Sequence, residues 1–112
     1  MNANDELQYH TSTDGYHKYT MGLVITDGAK ALADKFQCYW FLDIVVSYQK
    51  KLKGHEFQVW RLVKHGEYKA TVTCTDGNDK VLVKQQIPFT DFAADEATVW
   101  LELDCILLPS EH

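Results

Sequence analysis

The stretch Tyr68-Lys69-Ala70-Thr71-Val72-Thr73-Cys74-Thr75-Asp76-Gly77-Asn78-Asp79-Lys80-Val81-Leu82-Val83-Lys84-Gln85-Gln86-Ile87 decides the fold class. Tyr68, Ala70, Val72 and Cys74 alternate with Lys69, Thr71 and Thr73, the period of a strand with one buried face. Thr75-Asp76-Gly77-Asn78-Asp79 carries an Asp-Gly pair, a strong short-range signal for a hairpin. Val81, Val83, Gln85 and Ile87 return on the partner strand. Pro88, which has no N–H to give a ladder, ends it. The second half of the chain therefore begins as an antiparallel hairpin.

Upstream of Gly54 the period is helical. From Gln37 to Leu52, Trp40, Ile44 and Ser47 fall on one face and Phe41, Val45, Tyr48 and Leu52 on the next, a wide apolar arc. Lys50, Lys51 and Lys53 gather at its C-terminal end, where cations suit the helix dipole, and Gly54 stops it. An earlier helix opens at Thr26-Asp27-Gly28, with Thr26 or Asp27 as N-cap, and stops near Asp34–Phe36. Glu56–Val63 reads as a strand and His65-Gly66 as a turn. Tyr9–Thr26 carries a turn signal at Thr13-Asp14-Gly15 and one short strand around Lys18–Val24. Phe89–Glu96 is a loop, and Ala97 to about Leu107 a last strand. The expected fold is α+β, with two N-terminal helices packed on a four-stranded or slightly larger antiparallel β-meander. Residues 1–8 read as a flexible leader, and residues 9–112 as a single α+β domain.

With 112 residues and 46% hydrophobic content the chain can hold one real core, which rules out disorder. Its longest apolar run, Cys38–Val46, is interrupted by Asp43 and is too short to span a membrane. The polar, acidic start at Met1–Glu6 is unlike a signal peptide, so a cytoplasmic location is expected. Three cysteines, Cys38, Cys74 and Cys105, are odd in number and lie in apolar segments, as free structural thiols do. Net charge is −5. Residues 85–112 hold Asp91, Asp95, Glu96, Glu102, Asp104 and Glu111 with no Lys or Arg. Such a balance argues against a nucleic-acid partner. The central cations Lys50, Lys51, Lys53, Arg61 and Lys64, with Trp60 as a stacking platform, are the only local exception.

Motifs for chemistry are sparse. His10, His17, His55, His65 and His112 never pair at zinc-ligand spacing, so no metal is expected. Ser12, Ser47 and Ser110 lack a nucleophile elbow, and no Gly-rich phosphate cradle exists, so no cofactor is expected. Cys74 abuts a tight turn that would leave its thiol partly exposed, with no cation beside it to activate it. The acidic turn Asp76–Asp79 lacks the spacing of a calcium loop. Asp43 is the informative residue. It interrupts a buried helix, so it must be hydrogen-bonded, paired, or line a cleft with Tyr39 and Ser47. Structurally it would accept bonds from the Tyr9–Thr26 segment and fix its packing, and functionally it would be an acid or base under the aromatics. The second oddity is Phe89-Thr90-Asp91-Phe92, a loop that either caps the core or forms a lip for a partner.

Thr26-Asp27-Gly28, Tyr39-Trp40-Phe41-Leu42-Asp43-Ile44-Val45, Phe57-Gln58-Val59-Trp60, Ile87-Pro88-Phe89-Thr90-Asp91-Phe92 and Leu107-Leu108-Pro109-Ser110-Glu111 together resemble a family of small, uncharacterised bacterial and phage proteins. The resemblance spans residues 9–112. It implies an accessory protein of mobile elements and brings no active site with it.

The leading expectation is a small non-catalytic interaction protein, encoded by a phage or mobile element. It would bind and inhibit a host or defence-system protein through an acidic surface, in the manner of an anti-CRISPR protein. Asp91, Asp95 and Glu96 would supply the charge, and Phe89 and Phe92 the apolar anchors. The alternative is a small-ligand-binding or hydrolytic enzyme with a pocket around Asp43, Tyr39 and Ser47, joined by His17 or His55. A homodimer through an exposed strand edge is left open.

Overall fold

A computed structural model describes residues 2–7 and 15–112. A 3-10 turn, Ala3–Leu7, comes first, followed by strands β1 (Tyr16–Lys18) and β2 (Val24–Thr26). Helices α1 (Asp27–Phe36) and α2 (Tyr39–Ser47) follow, then β3 (Phe57–His65), β4 (Lys69–Thr75) and β5 (Val81–Ile87). β6 (Glu96–Glu102), β7 (Cys105–Leu107) and a 3-10 turn over Pro109–Glu111 complete the chain. The fold is α+β. It departs from the expected four-stranded meander in two respects. Among the described residues the sheet has seven strands in the order β1-β2-β7-β6-β3-β4-β5, and the helices sit mid-chain, behind β1 and β2. All neighbours pair antiparallel except β2 and β7, which run parallel.

Two turns hid the extra strands. The strand expected over Lys18–Val24 is instead the bend of the β1–β2 hairpin, where Met21 and Gly22 both take positive φ. The last strand breaks at Leu103-Asp104, with φ of 49° and 63°, and folds back as β7. Such a two-residue turn favours Asn or Gly, and a leucine there conceals it. α2 is shorter than the period suggested. Beyond Ser47 the chain tightens into turns, with Lys51 N donating to Tyr48 O and Leu52 N to Gln49 O. The Thr13-Asp14 part of the expected N-terminal turn, with Tyr9, His10 and Ser12, lies outside the described residues.

α1 begins as its sequence requires, with Thr26 Oγ1 accepting from Ala29 N at 3.1 Å. Leu32, Ala33 and Phe36 of α1 join Phe41, Leu42 and Val45 of α2 over one sheet face, where Trp60, Leu62, Val72, Cys74, Val99 and Ile106 are buried. Burial of a side chain of this kind contributes roughly 1.5–3 kcal/mol each. The expected leader belongs to this core over Asn2–Leu7, since Ala3 and Leu7 are wholly buried. β7 is short and leaves the start of β6 uncovered. The Asn4 side chain fills that edge, donating to Thr98 O at 2.8 Å and accepting from Thr98 N at 2.6 Å.

The last turn of the chain is tied to the start of α1 by one carboxylate. Glu111 Oε1 accepts from Thr26 Oγ1 at 2.6 Å and Leu108 N at 2.9 Å, and Oε2 accepts from Gly28 N at 3.2 Å. A negative charge at the start of α1 also suits the helix dipole.

Candidate functional site

The loop between β5 and β6 is held from within. Phe92 is buried and packs on Phe36 and Trp40, with ring centroids 6.0 and 6.5 Å away. Lys64 Nζ donates to Phe92 O at 2.8 Å, and Lys64 N donates to Asp95 O at 2.7 Å. Thr90 N donates to Tyr68 O at 2.6 Å, which ties the loop to the β3–β4 turn. With Phe92 turned in, Phe89 is turned out. It is 70% exposed and lies flat on Tyr68, itself 52% exposed, with centroids 5.2 Å apart and planes 12° from parallel. Behind this ledge Trp40, Ile87, Phe89, Thr90 and Asp91 line a cleft of about 380 Å³.

The five residues expected to meet a partner therefore divide. Phe89 and Asp91 are exposed on the ledge and cleft. Phe92 is a core cap and is withdrawn from any surface role. Asp95 is exposed, whereas Glu96 is half-buried and accepts from Arg61 on β3 at 2.5 Å. The remaining acidic residues of this segment do not extend the surface. Glu102 and Asp104 lie at the opposite end of β6, about 20 Å along the strand by its rise per residue, and Glu102 is paired with His112 at 2.8 Å.

The pocket expected around Asp43 takes a different form. Asp43 is exposed on α2 and does not project into the core. Its Oδ1 accepts from Tyr19 OH at 2.5 Å, which ties the β1–β2 hairpin to the helix. The Tyr19 ring stacks on Tyr39 at 6.4 Å, but the Tyr39 hydroxyl turns away to Asp34 Oδ1. Ser47 Oγ donates to Ile44 O of its own helix. Burial, and then the bond to Asp43, push the Tyr19 phenol well above its ordinary range. The bond to Asp34 raises Tyr39 and lowers Asp34 in turn. Phenols held protonated in this way serve as donors, not bases. A shallow cavity of about 390 Å³ does adjoin Asp43 and Ser47, with Met21, Val46 and Lys50 on its walls. The histidines expected there are elsewhere. His17 contacts Asp27 Oδ1 at 2.6 Å, and His55 lines a separate cavity with Lys53, Glu56 and Asp104.

The basic centre does not form a stacking site either. Trp60 is wholly buried, donating to Gln58 Oε1 at 2.9 Å, and Arg61 and Lys64 are committed to Glu96 and Phe92. Asp76 Oδ1 is used within its turn, accepting from Asn78 N and Lys80 N. Cys74 is buried, as its place on the apolar face of the strand implies; the turn beside it does not expose it, and burial pushes its thiol up to about 12. Cys38 is buried with the same consequence. Among the described residues no group of three or more His, Cys, Asp or Glu is placed to hold a metal ion. Among the described residues no helix is long and apolar enough to cross a membrane.

Sequence reasoning picked out Phe89 and expected the segment that holds Tyr19 to bond Asp43, as it does, but gave Tyr68 and Lys64 no part in holding this loop. Tyr68 reads as the start of a strand, and only the meeting of two loops makes it a platform. The chain belongs to a family described as a family of unknown function (DUF6876), which matches residues 1–112. Neither the curated proteins nor the solved structures supply a significant match.

Proposed function

We propose that this member of the family is a non-catalytic binding module, and that its contact surface is the Tyr68–Phe89 ledge with the adjoining cleft. The observation that carries this reading is the stacked aromatic pair, left largely in water at 5.2 Å separation. Aromatic rings anchor interfaces because they bury much apolar area at small entropic cost. Here the ledge is rigid, since Phe92 and the Lys64 bonds fix the loop that presents it. Asp91 at the cleft supplies a charge to orient a partner. The partner is a protein of a host cell or of a defence system. A continuous acidic face is not part of the proposal, because Glu96 is engaged by Arg61, and Glu102 and Asp104 lie at the far end of β6.

The test is affinity capture with tagged protein from nuclease-treated lysate of its own host, run beside Phe89→Ala. One stoichiometric protein held by the native chain and lost by the variant supports the reading. Equal capture by both, or capture of nothing, contradicts it.

A further inference from the structure

The sheet has two outer edges of unequal length. β1 offers three residues, whereas β5 offers seven, Val81–Ile87, hydrogen-bonded to β4 on one side alone. The short gap along β6 is already filled by Asn4. Among the described residues, β5 is thus the long unpaired edge of the molecule. An edge of this kind is matched only by another extended chain, whose backbone completes the ladder.

The charge along this edge differs from that of the protein as a whole. Lys80 and Lys84 are exposed on it, and no acidic residue falls between Lys80 and Pro88. On the helix side Tyr48 donates to Gln85 Oε1 at 2.8 Å, and Lys51 Nζ stands 5.9 Å over the Tyr48 ring. The nearest carboxylates in sequence, Asp79 and Asp91, lie beyond the two ends of the strand. β5 therefore forms a cationic strip on a chain of net charge −5. Its Ile87 end opens directly into the cleft lined by Trp40, Ile87, Phe89, Thr90 and Asp91, so the cationic strip ends where the Asp91 carboxylate begins.

We infer that β5 accepts an extended, acidic segment of a protein partner, which adds as an eighth strand and places an apolar side chain in the cleft beside Phe89. This inference rests on the binding-module reading and names the form of the partner. A second copy of the chain fits less well. The antiparallel register that pairs all seven residues sets Lys84 against Lys84, and both chains carry net negative charge.

The experiment selects short random peptides, displayed as a library, on the immobilised protein. The peptide recovered is then synthesised and titrated by fluorescence anisotropy. The expected peptide is acidic, rich in β-branched residues and carries one apolar anchor. Its binding shifts the amide resonances of Val81–Ile87. N-methylation of alternate peptide bonds, which removes ladder donors and leaves side chains intact, weakens it by about tenfold or more. The double variant Lys80→Glu, Lys84→Glu loses a similar factor and recovers binding to a peptide of reversed charge. A library that yields nothing, a recovered peptide that is basic or helical, or binding indifferent to N-methylation overturns the inference. A free protein that is already a dimer through β5 does the same. Phe89→Ala separates the two readings: if it abolishes partner capture while N-methylation and the lysine variants change nothing, the ledge stands and strand addition falls.

Discussion

Glu111 lies against Gly28, 83 residues away in sequence, so closely that a methyl group at Gly28 would stand 2.3 Å from its Oε1. The last turn of the chain is thereby locked to the first turn of α1. Gly28→Ala must displace a carboxylate that is buried and already accepts from Thr26, Gly28 and Leu108. The expected loss is about 1–3 kcal/mol in urea unfolding, the cost of overpacking a filled site. Glu111→Gln keeps the shape but turns one acceptor into a donor facing donors, and a loss of similar size is expected. The two changes should be markedly non-additive, because both act on one contact.

Phe89→Ala and Phe92→Ala separate surface from core within one loop. Phe89 is 70% exposed and Phe92 1%. The Phe92 variant should lose about 3–5 kcal/mol, as large-to-small changes in a core do. The Phe89 variant should stay within about 0.5 kcal/mol of the native protein. Thermal melts of the two, run together, check this.

Thiol reactivity should follow burial. Cys38 and Cys74 are buried with thiols pushed up to about 12, whereas Cys105 is half-buried and raised less clearly. A thiolate-selective reagent at neutral pH should therefore modify Cys105 first and slowly. The other two should react only at the rate of global unfolding. Early labelling of Cys74 would contradict the burial found beside the Asp76 turn.

Alkaline pH should loosen the β1–β2 hairpin. Tyr19 has its pKa raised above the ordinary 10.0, by burial first and by Asp43 second. The folded state thus keeps a proton that the unfolded chain releases near pH 10. Stability from this group is fully present below that pH and falls as pH rises above it, towards the folded value. Tyr19→Phe should remove that part of the slope, and Asp43→Asn should reduce it. Unfolding midpoints measured across the alkaline range give the comparison.

The β4–β5 hairpin and the α1 cap were legible because each is written locally: an alternation with an Asp-Gly turn in one, and Thr26 before a helical run in the other. β7 was not, since Leu103 adopts a turn conformation for which its side chain gives no signal. Nor was the role of Asn2–Leu7, whose polar residues conceal Ala3 and Leu7 and whose Asn4 acts on a strand 94 residues distant. Phe89 stood out as an oddity in sequence. That Phe92 beside it would turn inward, and that Tyr68 would arrive beneath Phe89, depends on the packing of three separate elements.

The most direct test of the proposed contact surface is site-specific photo-crosslinking in cells that express the protein. A photoreactive phenylalanine analogue replaces Phe89 in one version and Leu103, 73% exposed at the other end of β6, in a second. A single protein adduct from position 89 and none from position 103 is the result expected of a ledge that receives a partner. An adduct from position 103 alone, or none from either, would place the contact surface elsewhere or remove it.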